Sequence, residues 1–289
     1  MTSPWAPVST SAFEYFAALV AEDEHFPLLE AAVSVGLDDE PLLDIEAVLS
    51  EVDGLAQRLK SRLPADAGAV QRLRALNRYF FKELGFCGNV NDYYAAENSL
   101  IHRVLSTRRG IPISLALLYM EIADQIGLQV QGVSFPGHFL VKLRLPAGEV
   151  VMDPFSGRSL SREALEERLE PFRQRQGLVG DFDAPLGLFL QSSEPRYILA
   201  RMLGNLKALY REQQDWPRLL GIQERLVALL PEAWEEVRDR GLVLAELGLD
   251  EPAQADLSAY LAHRPDAADA PLLQAHLEQL RSSPRPLLH

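Results

Sequence analysis

Three residues in the middle of the chain could share one piece of chemistry: Ser114, His138 and Asp153. A hydroxyl, an imidazole and a carboxylate are the parts of a nucleophile, its general base and the group that orients that base. Ser114 stands two residues after Pro112 in GIPIS. Proline's missing N–H costs nothing in a first helical turn, so Ser114 sits beside unpaired amides and the positive end of a helix. A thiol there would ionise more readily, whereas a serine gains little and depends on His138 as its base. His138 opens HFLVKLRL and Asp153 closes EVVMD. If the PAG turn, residues 146–148, closes an antiparallel hairpin with Leu145 near Glu149, Asp153 falls within about three residues of the position opposite His138. One bulge or fray then brings the carboxylate onto the imidazole.

Each of these residues also has a plainer use. Ser114 could satisfy first-turn amides or touch a polar ligand. The His138–Asp153 pair could simply tie two strands together. The DPF sequence suits a turn in which Asp153 bonds its own backbone. Cys87, the only cysteine, lies in the Gly- and Asn-rich stretch FCGNVNDYY and is read as a small buried hydrophobe before a replacement nucleophile. Arg108 and Arg109 precede the Ser114 helix and are candidate contacts for an anion at its N-terminus. His25, His102 and His138 have no partners at metal-ligand spacing, so no metal or other cofactor is expected.

The elements that must position these groups follow from periodicity. Phe13, Phe16, Ala17 and Val20 form one helical stripe, and Leu42, Ile45, Val48 and Leu49 another. A third helix in AVQRLRALNRYFFKELG stops at Gly85, and a short one in NSLIHRVLSTRRG is capped by Asn98 or Ser99. Residues 114–126 are apolar on nearly every face, which implies a buried helix closed by Gly127. QVQGVSF, HFLVKLRL and EVVMD read as three strands. Helices are expected near 195–213, 216–230, 233–248, 251–263 and 271–281. RLVALLPEAW and AYLAHRPDAA align with Pro231 over Pro265, a separation of 34 residues, which is the tetratricopeptide period. The fold class is therefore α+β: a mixed core followed by helical repeats. The expected domains are a helical N-terminal extension (1–34), the core (35–190) and the repeats (191–289).

Composition narrows the partners. Lys plus Arg number 28 against 41 Asp plus Glu, a net charge of −13, which disfavours nucleic acid and anionic membrane surfaces. No apolar run is long enough to cross a bilayer, the first residues lack a secretory pattern, and one cysteine fits a reducing compartment. A cytoplasmic protein with a protein or peptide partner on its repeats is expected.

The run from Asn98 to Leu143, with RGIPISL and FPGHFLV, followed by MDPFSG, resembles the transglutaminase-like core. It looks still more like the SirB-type bacterial family, in which such a core precedes tetratricopeptide-like repeats; the resemblance covers roughly residues 35–280. It implies a papain-like arrangement of a central helix and a small antiparallel sheet. In active members a Cys opens that helix, with His and Asp on the following strands. Ser114 lies at or next to the Cys position, while His138 and Asp153 match the other two. The departure at the nucleophile implies that this is not a working transglutaminase. The SirB-type family is linked to regulation of invasion-gene expression, and no defined reaction comes with it. The leading expectation is a regulatory or scaffolding protein. A hydrolase or acyl-transfer enzyme using Ser114, His138 and Asp153 is the alternative, and a non-catalytic pocket for a peptide or carboxylate is a third reading.

Overall fold

In the computed structural model of the chain, residues 11–22, 26–178 and 184–282 are described; the first residues, read above for a leader, and His25 lie outside them. The chain forms two compact units. One runs from Pro27 to Met202, and in the other the described residues up to Phe26 join those from Leu203 onward.

The first unit begins with α2 (Leu28–Ser34), α3 (Ile45–Lys60) and α4 (Ala69–Asn77), which runs into a π-helical turn at Arg78–Glu83; α1 (Ala12–Leu19) belongs to the second unit. Two short parallel strands follow, β1 (Cys87–Gly88) and β2 (Arg109–Gly110), on either side of α5 (Ile101–Thr107). Helix α6 (Pro112–Gln125) is the centre of this unit. Its residues from Pro112 through Tyr119 are all buried, which is why its sequence shows no polar face. Gly127 ends it with a φ of 72°, a conformation open to glycine at no steric cost.

The sheet is antiparallel, in the order β3 (Gln131–Val133), β4 (Leu140–Leu145), β5 (Gly148–Asp153), β6 (Arg158–Leu160). Leu145 pairs with Gly148, so the β4–β5 turn is two residues long and the register is one residue tighter than the sequence suggested. β4 starts at Leu140, leaving His138 in a turn before it, because Pro136 and Gly137 (φ 69°) break the extended run. Alternation sorts the side chains of β5. Val151 packs with Leu165 and Leu169 of α7 (Arg162–Gln176), whereas the Met152 sulfur lies 3.8 Å from the Tyr119 hydroxyl of α6. Asp153, two residues after Val151, is therefore on the α7 face.

Neither β6 nor α7 was expected from the sequence. α7 is mostly charged, shows only a short Leu165–Leu169–Phe172 stripe and carries Pro171 in its interior, so the charge and the proline weaken a helical reading. α5 also begins later than expected. Leu100 caps it, and Asn98 ends a 3-10 turn at Ala96–Asn98.

α8 (Leu186–Phe189) and α9 (Pro195–Glu212) follow, and α9 spans the boundary between the units. In the second unit, α10 (Trp216–Leu229), α11 (Trp234–Glu246), α12 (Asp250–His263) and α13 (Ala270–Ser282) pack in sequence, and α1 lies against α10. Phe16 of α1 is fully buried beneath the Arg225 guanidinium, 5.5 Å from its ring centre. The 34-residue repeat is visible in the backbone. Leu230 and Arg264, each preceding a proline, leave their helices at nearly the same angles, φ −125°, ψ 69° and φ −130°, ψ 57°. Leu226 and Tyr260, equivalent in that register, are both buried.

Candidate functional site

The end of β5 and the turn before β4 bring two of the expected groups together. His138 Nε2 lies 2.8 Å from Asp153 Oδ1. Asp153 is 2% exposed, and three further donors meet it: the Phe155 N–H at 2.9 Å, the Ser156 hydroxyl at 2.9 Å and Arg168 at 3.3 Å. Asp153 thus orients the imidazole and closes its own DPF turn at once. Burial pushes its carboxyl up, but the hydrogen bond and charge of His138 with the Ser156 and Phe155 donors outweigh this and bring it to about 2. An ionised Asp153 accepts the proton on Nε2, which leaves Nδ1 as the other ring nitrogen, and none of the described residues bonds to it.

The turn is held from several sides. Arg201 of α9 donates to the carbonyls of Phe135 (2.9 Å) and His138 (2.7 Å), replacing ladder bonds the turn cannot make. Phe155 meets the His138 ring edge-on, with centroids 6.4 Å apart, and packs against Tyr93. A Cβ on Gly88 would stand 2.3 Å from the Phe155 ring, and one on Gly157 2.9 Å from Phe81. These glycines make room for the aromatic rings on each side of the Asp153 turn. His138 borders a cleft of about 300 Å³, lined also by Phe135, Pro136, Arg168, Phe172 and Arg175.

Ser114 is used differently. Its side chain is fully buried; the hydroxyl donates to the Asn98 carbonyl at 2.5 Å and accepts from the Ile111 N–H at 3.2 Å. Its donor proton and an acceptor position are thus occupied by backbone. The Asn98 side chain in turn accepts from Asn89 and donates to the carbonyls of Asp92 and Tyr93, fixing the loop after β1.

Residues 46–204 match the model of the transglutaminase-like superfamily, and residues 206–278 match a tetratricopeptide repeat. A UPF0162 protein of Xylella fastidiosa is 37% identical over 260 residues, covering 90% of this chain and 92% of the relative. The chain belongs to the UPF0162 family of transglutaminase-like proteins. UPF0162 proteins of Vibrio cholerae (28% identical, 92% of this chain and 98% of the relative) and Escherichia coli K12, named YchA (26%, 84% and 87%), are also similar. No solved structure matches the chain.

Within this transglutaminase-like core the other candidates have intramolecular roles. Arg108, the left-handed C-cap of α5, lies over the Phe86 ring at 4.7 Å and pairs with Glu51 at 3.2 Å. Arg109 donates to the carbonyls of Gly85 and Arg108. Cys87 is half-buried on β1, its N–H on the Arg108 carbonyl. Among the described residues no group of three or more His, Cys, Asp or Glu could hold a metal ion, and no helix is long and apolar enough to cross a membrane. Arg168, Arg175, Arg201 and Tyr93 were missed in the sequence, and Asn98 was expected only as a helix cap. Only Arg168 and Arg175, spaced for one helix face on either side of Phe172, carry a readable signal, and it becomes one only once α7 is known to be helical.

The repeat unit has a larger groove, about 620 Å³, with Trp216, Leu219, Leu242, Val243 and Leu272 among its walls. Leu272 is 75% exposed. Charged pairs border it: Asp239 takes Lys207, Arg211 and Arg238, and Arg238 bridges to Asp269.

Proposed function

We propose that this is a cytoplasmic regulatory or scaffolding protein that binds a partner protein or peptide through its repeats and keeps the transglutaminase-like core as a binding module without turnover. The observation that carries this reading is the Ser114 hydroxyl, fully buried and bonded to the backbone of Asn98 and Ile111. A nucleophile must offer its lone pair to a substrate in a cleft and its proton to a base; this hydroxyl gives its proton to a carbonyl. The sole cysteine lies on β1 and not on α6. The resemblance to SirB-type regulators and the apolar groove of the repeats support a partner-binding role. The His138–Asp153 geometry favours the second reading, acyl transfer with Ser114, because a polarised imidazole beside an open cleft is what a general base needs.

Two experiments separate the readings. Fluorophosphonate labelling and an acyl-ester screen should give no signal with wild type or Ser114→Ala; labelling that disappears in Ser114→Ala would establish the enzyme. Capture of partners by the full chain should be lost on Leu272→Asp, which changes an exposed groove residue. Partners retained by that variant and lost on Arg175→Glu would move the binding role to the core.

A further inference from the structure

Helix α7 sorts its charges. Glu166, Glu167 and Glu170 line one cleft, of about 500 Å³, together with Arg162 and Arg173. Arg168 and Arg175 line the other, beside His138. Seven residues is close to two helical turns, so these guanidiniums share a face, with Pro171 and Phe172 between them. Every titratable group lining the His138 cleft is basic, in a chain whose net charge is −13. Asp153, the carboxylate that Arg168 and His138 share, is already met by four donors. Arg175 donates its Nε to the Pro171 carbonyl at 3.2 Å, and no carboxylate among the described residues pairs with it. The remaining walls, Phe135, Pro136, Pro171 and Phe172, are apolar.

We infer that this cleft binds a carboxylate carried on an apolar body, with Arg168 and Arg175 as the cationic contacts and Pro136, Pro171 and Phe172 against the body. The inference rests on reading the core as a binding module. A guanidinium fork matches a carboxylate's two oxygens, and such charge-assisted bonds are the strong ones. Arg168 is held by Asp153 through one nitrogen, which leaves its other donors for a ligand. The wall of rings and prolines separates this site from one for a bare inorganic anion, which gains nothing from apolar contact.

The test is an NMR titration of the full-length protein, observing the arginine Nε–Hε signals and the His138 ring. The probes are N-acetylphenylalanine, its neutral amide N-acetylphenylalaninamide, and inorganic phosphate. The acid should shift the Arg168, Arg175 and His138 signals, and the amide should bind at least about tenfold more weakly. Arg175→Glu, at an exposed position, should weaken the acid by a similar factor. Arg162→Glu, the same charge change on the other side of α7, should leave binding unchanged. Equal binding of acid and amide, phosphate binding as tight as the acid, or equal losses in Arg175→Glu and Arg162→Glu would each overturn the assignment. An absent shift together with absent fluorophosphonate labelling sinks the carboxylate site alone and leaves the non-catalytic reading standing. Covalent labelling that requires Ser114 would sink that reading whatever the titration shows.

Discussion

Ser114 in the first turn of α6 and Asp153 at the end of β5 are both buried polar side chains, 0% and 2% exposed, and they are satisfied in opposite ways. Ser114 bonds only to backbone, within its own turn and to the 3-10 turn that ends at Asn98. Asp153 bonds to one backbone N–H and to three side chains, two of which border an open cleft. The faces differ as well: Asp153 shares its side of β5 with Val151 and α7, while α6 meets the opposite side through Met152 and Tyr119. Burial alone therefore says little about chemistry. What matters is whether the partners are main-chain groups that must be satisfied in any fold, or side chains that connect to solvent.

Mutations should reproduce that asymmetry. Asp153→Ala takes the shared carboxylate from His138 and Arg168 and orphans the Phe155 N–H, a loss of about 1.5–3 kcal/mol for hydrogen bonds to a charged group. Urea unfolding at neutral pH would measure it, and a cost equal to that of Ser114→Ala would erase the contrast. Acid should expose the same centre. The folded Asp153 carboxyl sits near 2, below its ordinary 3.8. The stability it contributes is thus fully present above about pH 4 and lost as pH falls toward 2, on the order of 2 kcal/mol. Asp153→Asn should flatten that part of the pH profile; an unchanged slope would mean other carboxylates carry it.

Smaller effects sharpen the comparison. Gly88→Ala drives a methyl into the Phe155 ring and should cost about 1–3 kcal/mol by overpacking, read as a shift in the urea midpoint. Ser114→Ala takes one acceptor from the Ile111 N–H, which keeps the Asn98 carbonyl at 3.3 Å, and one donor from that carbonyl, so about 1 kcal/mol is expected. Arg175→Glu, exposed and without an ion pair among the described residues, should stay within about 0.5 kcal/mol, and a larger loss would show that it braces α7.

How much of this was legible follows from the range of the forces involved. The repeat helices were placed within a residue or two because their signals are local: apolar stripes, and prolines 231 and 265 that stop two helices with nearly the same backbone angles. The α6 boundaries were legible for the same reason, with Pro112 at one end and Gly127 at the other. The His138–Asp153 pairing came from counting along a hairpin, although the count was one residue loose. α7 was invisible because its stability comes from Leu165, Leu169 and Phe172 pressed on the sheet's core, a tertiary contact that no charged, proline-bearing run announces. The role of Arg201, 63 residues from the carbonyl of His138, was likewise beyond local pattern. Nothing near Ser114 in the sequence names Asn98 as the owner of its proton.

The two aromatic rings seated on Gly88 and Gly157 have a kinetic consequence. Opening the loop that carries Asp153 moves Phe155 or Phe81 off its glycine, so the Phe155 and Gly157 amides, both bonded to Asp153, should exchange with deuterium more slowly than the exposed Ser156 amide. An approaching molecule would then find the imidazole and its carboxylate already in place, with nothing to wait for except its own arrival.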